Sequence, residues 1–382
     1  MNKKRVVFIT GTRADFGKLK SLLVEMSLTT NFECHLFITG MHLLSKYGST
    51  YYEIEKCLQR VNLFKYINQN HDDTMDVVLA KTVSGFSDYV KETKPDMIVV
   101  HGDRVEAMAG AIVGSLNNIL VSHIEGGEVS GTIDELIRHS ISKLSHLHFV
   151  ANVDAKQRLI RMGEREGSIY VVGSPDIDIM LSGKLPTISE VKAYYDIPFA
   201  RYAVGILHPV TTEVEKMSEY AKIYVDALCA SDENFVLIYP NNDLGTQHIL
   251  EQIEPLQNND KFVVHSSMRF EYFLTLLKYA NFIIGNSSSG VREAPVFGVP
   301  AINIGERQYC RSADPMIMDV PFDYKEMVVA IKSAPNIEPI PSNYFGSGNS
   351  SHLFLQTLLL EDIWRTSSQK YFVDDCVTTA FN

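Results

Sequence analysis

The sequence predicts an α/β protein made of two doubly wound, Rossmann-like domains facing a cleft. Short apolar runs rich in Val and Ile alternate with longer amphipathic stretches throughout, as repeated βα units around a parallel sheet require. At 382 residues the chain is too long for one ordinary core, which points to two domains. The stretch GSPDIDIMLSGKLPTISEV, residues 173–191, gathers Gly, Pro and Ser between two halves of similar rhythm and marks a boundary there.

In the first half the expected strands are 5–10, 33–39, 97–100, 119–123, 146–150 and 169–172, with helix-like segments between them. The second half repeats the pattern at 202–207, 235–239, 262–264, 282–284 and 301–304, separated by helical stretches at 215–230, 245–256 and 269–280. The domains are placed at 1–175 and 176–350. Residues 351–382, helical over 351–372, are expected to fold back onto the first domain.

Apolar residues at 45% and charged residues at 21% describe a folded soluble protein. A formal net charge of −11 without a long Lys/Arg cluster argues against nucleic acid and anionic membranes as partners. Cys34, Cys57, Cys229, Cys310 and Cys376 are odd in number, scattered and without a C-x-x-C pair, so they read as buried or free thiols in a reducing compartment. The apolar run at 6–9 is too short for a signal peptide and no stretch approaches the ~20 apolar residues of a membrane span. A cytoplasmic protein is expected.

Ligands of open α/β sheets sit beyond the carboxyl ends of the strands, and the chemically distinctive segments fall there. FITGTRADFGKLKSLL, residues 8–23, reads as strand, turn and helix: Gly11 permits close backbone approach, and Arg13 can grip phosphate oxygens in bidentate fashion or pair with a carboxylate of the other domain. VVHGDRVEAMAGAIVG, residues 99–114, puts Asp103 and Arg104 at a strand tip before a small-residue helix that can pack closely on the sheet; Asp103 is either a functional carboxylate or a helix cap. HIEGGEVSGTIDELIRHSISKLSHLHFV, residues 123–150, crowds Glu125, Glu128, Asp134 and Glu135 around Gly126 and Gly127. A solvated acidic helix start is the alternative reading. Arg138 and Lys143, downstream of Asp134 and Glu135, read as intrahelical ion pairs.

The second half offers IIGNSSSGVREAPVFGVPAINIG, residues 283–305. Ser287, Ser288 and Gly290 between strand and helix compose a phosphate cradle, with Glu293 on the first helical turn able to accept both hydroxyls of a ribose. Capping by Ser288 or Ser289 is the alternative. His208, Asn241 and His42 stand at further strand tips in GILHPVTTE, IYPNND and GMHLLSKYG. His139, His146 and His148 match no metal-ligand spacing, and no metal site is expected.

Together GTRADFGK, HGDRVEA, SHIEGGEVSGTIDE, HPVTTE, PNND and NSSSGVREAPVFGVPAINIGERQ, in that order, resemble the hydrolysing UDP-N-acetylglucosamine 2-epimerases of bacterial sialic acid synthesis, from residue 5 to beyond residue 310. The resemblance implies the GT-B fold and a homodimer or homotetramer. It assigns catalysis to Asp103, Glu125 and Asp134, and binding of the UDP-sugar and UDP to Arg13, His208, Asn241, Ser287, Ser288, Gly290, Glu293 and Arg307, with His42 and Arg104 near the sugar or phosphates. The related non-hydrolysing enzymes carry GTRPE and VEAGLR where this chain has Gly11-Thr12-Arg13-Ala14-Asp15 and Ile124-Glu125-Gly126-Gly127-Glu128, which puts it on the hydrolysing side. In the implied mechanism a base removes the C2 proton as UDP leaves C1, and water then adds to the 2-acetamidoglucal to give N-acetylmannosamine.

Glu125 before a Gly pair that lets the sugar approach the backbone reads as the acid/base at C2, with Asp103 and Asp134 protonating, orienting water or raising a neighbour's pKa. No NAD is expected, because no G-x-G-x-x-G follows any strand and elimination needs no hydride carrier. The sequence does not address a divalent cation. The competing readings are a 2-epimerase for a UDP-2,4-diacetamido-2,4,6-trideoxyhexose, a GT-B glycosyltransferase and a non-catalytic nucleotide-sugar sensor.

Overall fold

The structure, a computed structural model, describes residues 3–45, 49–70, 73–130, 133–240, 244–308 and 311–373. The described residues hold two sheets in which every pairing is parallel. The first contains β1 (Lys4–Thr10), β2 (Phe32–Ile38), β3 (Asn62–Lys65), β4 (Met97–His101), β5 (Leu120–Ile124), β6 (Leu147–Val150) and β7 (Ile169–Val171), in the order β3-β2-β1-β4-β5-β6-β7. The second contains β8 (Ala203–Ile206), β9 (Phe235–Ile238), β10 (Phe262–His265), β11 (Ile283–Gly285), β12 (Ala301–Ile304) and β13 (Ile317–Val320), in the order β10-β9-β8-β11-β12-β13. Both orders reverse direction once, between β1 and β4 and between β8 and β11, and such reversals open a crevice at the strand ends.

Two edge strands, β3 and β13, lie outside the expected set. Their residues are mostly exposed or half-buried, so they lack the continuous apolar run that marks a strand covered on both faces.

Alternation along β1 feeds the two faces of the first sheet. Val6 and Phe8 join a core with Leu19, Leu22, Leu23 and Met26 of the helix Arg13–Ser27, while Val7 and Ile9 join a second core with Phe86 and Val90 of the helix Met75–Thr93. The first of these helices starts at a capping box in which Thr12 and Asp15 each satisfy the other's backbone N–H. The helix Val105–Leu116 packs as closely as its small residues suggest: a Cβ on Gly110 would lie 2.8 Å from Val100 Cγ1.

Contacts divide the chain into two compact units, Met1–Glu128 with Thr132–Leu181 and Gly346–Asn382 in one, and Val129–Gly131 with Ser182–Phe345 in the other. The helix Ser350–Leu358 completes the first core through Phe354, which is fully buried and meets Phe149 edge-on at 4.6 Å.

Gly285 at the end of β11 has φ +141°, and a Cβ there would overlap the Ile206 carbonyl of β8; at Gly290 the nearest atoms stand at 3.6 Å, ordinary contact. Gly285→Ala is therefore expected to lower stability by about 3 kcal/mol or more, and Gly290→Ala to stay within about 1 kcal/mol. Chemical denaturation of the two variants beside the parent checks the contrast.

Candidate functional site

At the β1/β4 crevice of the first unit, backbone and buried side chains fit without spare room. A Cβ on Gly11 would come 2.5 Å from Glu106 Cδ, and one on Gly40 would meet Glu106 Oε1 at 2.6 Å. Glu106 is buried, and burial raises its pKa while the Arg104 guanidinium, 3.9 Å away, lowers it. Beside it Thr10 Oγ1 donates to Asp15 Oδ1 (2.6 Å), and Asp15 also accepts from the backbone of Gly11 and Thr12. With its single proton given to Asp15, Thr10 accepts from His42 Nε2 (3.0 Å), which leaves Nδ1 to accept from Thr50 Oγ1 (2.6 Å). Burial depresses the His42 pKa against the pull of Asp15, so the ring is neutral and wholly enclosed. Arg13 stands at the surface, 3.2 Å from Glu53 Oε1. It is a salt bridge inside the first unit, not the interdomain one considered from sequence.

Glu125 follows β5 with φ +60°, a region that costs a non-glycine residue about 1 kcal/mol or more. Its N–H is held by the Phe149 carbonyl at 2.9 Å. The carboxylate, 5% exposed, accepts from Lys18 Nζ at 3.1 and 3.0 Å, from His101 Nε2 at 3.1 Å and from Ser174 Oγ. Lys18 is shared with Asp176 at 3.1 Å. A buried carboxylate keeps its charge only with such partners.

Asp103, one residue past Gly102 (φ +68°), pairs with Arg138, whose guanidinium is nearly fully buried and also donates to the Glu128 carbonyl at 3.1 Å. Asp103 is no cap: Arg104 occupies the N-cap position of the helix that follows. Arg138 and Lys143 reach beyond their own helix, to Asp103 and Glu164. Asp134 is half-buried in the first turn of the helix Ile133–Leu144.

The Gly126–Gly127 pair serves the protein's own packing. The space a Cβ would fill at Gly126 holds His123 Nδ1 at 2.7 Å, and Gly127, with φ +77°, faces the Ala155 carbonyl and Leu159. The expected approach of a sugar to that backbone is thereby corrected. His146 and His148 are likewise structural: His146 accepts from the Val121 N–H (3.0 Å), and His148 donates to Glu164 (3.0 Å). Among the described residues no cluster of His, Cys, Asp or Glu could hold a metal ion, and no helix is long and apolar enough to cross a membrane.

In the second unit Asn286, fully buried, ties the two strand tips at the β8/β11 crevice. Its Oδ1 accepts from the His208 N–H at 2.7 Å and its Nδ2 donates to the His208 carbonyl at 2.9 Å. The Asn286 carbonyl accepts from Arg307 Nη1 and Gln308 Nε2, both at 3.1 Å, so His208, Ser287 and Arg307 converge on one junction. Ser287, and neither Ser288 nor Ser289, is the cap, accepting from the Ser289 N–H. The expected helix is two single turns, Ser288–Val291 and Glu293–Val296, broken at Arg292; Pro295 has no N–H for the Val291 carbonyl. Glu293 is buried at the start of the second turn. Asn241 lies outside the described residues.

Lys18, His101, Ser174, Asp176 and Glu106 were not among the expected site residues. Lys18 stands in GTRADFGK five residues past Arg13, the only local hint. Ser174 and Asp176 fall in the stretch read as a domain boundary; the Ser174 bond to Glu125 spans 49 residues, and Asp176 is joined to Glu125 through Lys18.

The profile of the family described as UDP-N-acetylglucosamine 2-epimerase matches residues 25–359. The UDP-N-acetylglucosamine 2-epimerase of Neisseria meningitidis serogroup B is 46% identical over 376 residues, 97% of this chain and 99% of the relative. A UDP-N,N'-diacetylbacillosamine 2-epimerase (hydrolyzing) of Legionella pneumophila is 33% identical across 93% of this chain and 95% of its own. The crystal structure of UDP-GlcNAc 2-epimerase from Neisseria meningitidis bound to UDP-GlcNAc matches with a TM-score of 0.81 at 19% identity, over 93% of this chain and 99% of that one. The fold is thus GT-B-like, as the sequence predicts.

Burial pushes the His123 pKa down to about 3, while the Gly102 carbonyl favours the charged form. The unfolded chain takes up this proton near pH 6.5 and the native state only near its own lower value, so stability falls as pH drops between the two. The loss is expected to reach several kcal/mol, on the order of 1.4 per pH unit. His123→Gln should flatten that acid limb in denaturation curves taken from pH 7 to 4.

Proposed function

The chain belongs to the UDP-N-acetylglucosamine 2-epimerase family, and from that premise we propose that it is the hydrolysing enzyme. It eliminates UDP from UDP-N-acetylglucosamine and hydrates the 2-acetamidoglucal to N-acetylmannosamine. The observation that carries the reading is the gathering of Asp103 and Glu125 beyond the ends of adjacent strands β4 and β5, each paired with a cation, buried Arg138 for Asp103 and half-buried Lys18 for Glu125. Elimination and hydration move protons on two faces of one sugar ring, and a site with separately anchored carboxylates suits that task.

In this reading Glu125 takes the C2 proton. Lys18 divides its charge between Glu125 and Asp176, so the Lys18–Asp176 pair remains balanced when Glu125 is neutral. Asp103, oriented by Arg138, and Asp134 act on the departing oxygen and the incoming water. By the motif resemblance Arg13, Arg104, His208, Asn241, Ser287, Ser288, Gly290, Glu293 and Arg307 take the UDP moiety and sugar, while His42, fully buried with both ring nitrogens engaged, holds the turn at Thr10 rather than the ligand. Charge growing on the diphosphate meets preorganised donors, the largest usual source of catalysis. No NAD takes part. The motif resemblance supports a cytoplasmic homodimer or homotetramer feeding sialic acid for a capsule or surface glycan.

A second reading, hydrolysis of a UDP-diacetamido-trideoxyhexose, is favoured by the name of the Legionella relative; the higher identity of the Neisseria relative favours UDP-N-acetylglucosamine.

Proton NMR of the protein with UDP-N-acetylglucosamine in deuterated water is expected to show free UDP and N-acetylmannosamine deuterated at C2. UDP-N-acetylmannosamine as the product would refute hydrolysis, and turnover of the diacetamido sugar alone would select the second reading. Asp103→Asn and Glu125→Gln should fold and bind UDP, yet turn over about a hundredfold or more slowly.

A further inference from the structure

The last described segment of the chain grips the helix that carries Arg138. Lys370 Nζ, on a side chain 24% exposed, donates to the carbonyls of Ser142 (3.0 Å), Lys143 (2.9 Å) and Ser145 (2.7 Å) at the end of the helix Ile133–Leu144, and forms an ion pair with Glu164 at 2.6 Å. A cation at a helix C-terminus satisfies carbonyls that have no partner within the helix and opposes the dipole. The segment is anchored on both sides of Lys370. The Ser368 carbonyl accepts from His146 Nε2 at 3.1 Å, the Val373 N–H reaches the Gly163 carbonyl at 3.1 Å, and Phe372 fills the space over Gly163.

From that grip two paths lead to Asp103. Ser142, whose carbonyl Lys370 holds, donates through Oγ to His123 Nδ1 (3.0 Å), and His123 Nε2 donates to the Gly102 carbonyl (2.8 Å). The carbonyl can only accept, so Nε2 carries the proton and a neutral ring accepts at Nδ1. Along the other path, Arg138, one turn before Ser142 on the same helix, pairs with the Asp103 carboxylate. Backbone and carboxylate at Asp103 are thus both tied to one helix whose end is fixed by a residue more than 200 positions away.

We propose that Lys370 is a positioning residue for Asp103, holding the end of the Ile133–Leu144 helix so that His123 and Arg138 orient the carboxylate; this rests on the reading of Asp103 as catalytic. Such a residue acts on turnover and leaves nucleotide binding alone, since displacement of a reacting group by about 1 Å can cost on the order of a hundredfold.

Lys370→Met keeps the aliphatic stem and removes the ammonium. Its kcat for UDP release from UDP-N-acetylglucosamine is expected to fall about tenfold to a hundredfold, with KM and UDP affinity within about twofold. Lys370→Arg should recover most of the loss. On an Asp103→Asn background, Lys370→Met should cause no further fall, because both changes act on one carboxylate. Ser142→Ala, which breaks the link to His123 with the tail intact, should lower kcat in the same direction and tests the proposal even if Lys370→Met does not fold. A Lys370→Met protein that melts earlier but keeps its kcat would overturn the proposal, as would an equal further loss on the Asp103→Asn background. Normal turnover by Asp103→Asn alone would instead sink the catalytic reading of Asp103, a separate result.

Discussion

The placement of one buried charge governs the first unit. Glu125 can remain ionised at its depth only if neighbours replace water at both oxygens, and each neighbour comes from a different part of the sheet. Lys18 arrives on the helix after β1, His101 ends β4, and Ser174 follows β7. The β4–β5 register sets His101 opposite Ile124, which brings the ring beside the next residue, and the β5–β6 ladder extends one step to hold the Glu125 N–H. A slip of one residue in either ladder would turn these side chains to the other face. The left-handed backbone at Glu125 persists because so many contacts determine it.

The second unit meets the same topological problem with neutral groups. At its strand reversal a buried amide, Asn286, satisfies both backbone groups of His208, and Gly285 lets β8 and β11 approach. A neutral clamp carries a far smaller desolvation cost than a charged one. Two sheets of matching strand order therefore hold their tips by different chemistry, one with ion pairs and one with an amide.

The central strands were legible because burial on both faces writes a continuous apolar run, and the turn at Gly11 because strand and helix signals flank it. Edge strands β3 and β13 were not, since half-exposed residues carry no such run. Within the site, the residues at strand tips could be named from local pattern. Their partners could not: the contacts of Glu125 with Lys18 and Ser174, and of Asp103 with Arg138, join distant segments. Gly126 and Gly127 mislead for the same reason, as the groups that need their missing side chains are His123, Ser142 and Ala155. Pro295 was visible, but its effect on the preceding turn is set by the local hydrogen-bond pattern and not by composition.

Phe354 sits at the centre of the first core although it lies beyond the whole second unit in sequence. During synthesis the segment 182–345 leaves the ribosome as an uninterrupted stretch and can close its own core. The first unit meanwhile waits, with the face of Phe149 uncovered, for residues that emerge last. Chains grow at about 5–20 residues per second, so that apolar face stays open for on the order of ten seconds or more after β6 is made. The second unit can thus close its core before the first, although the first begins earlier, and until residue 354 emerges the side of β6 that Phe354 covers is apolar surface without that cover.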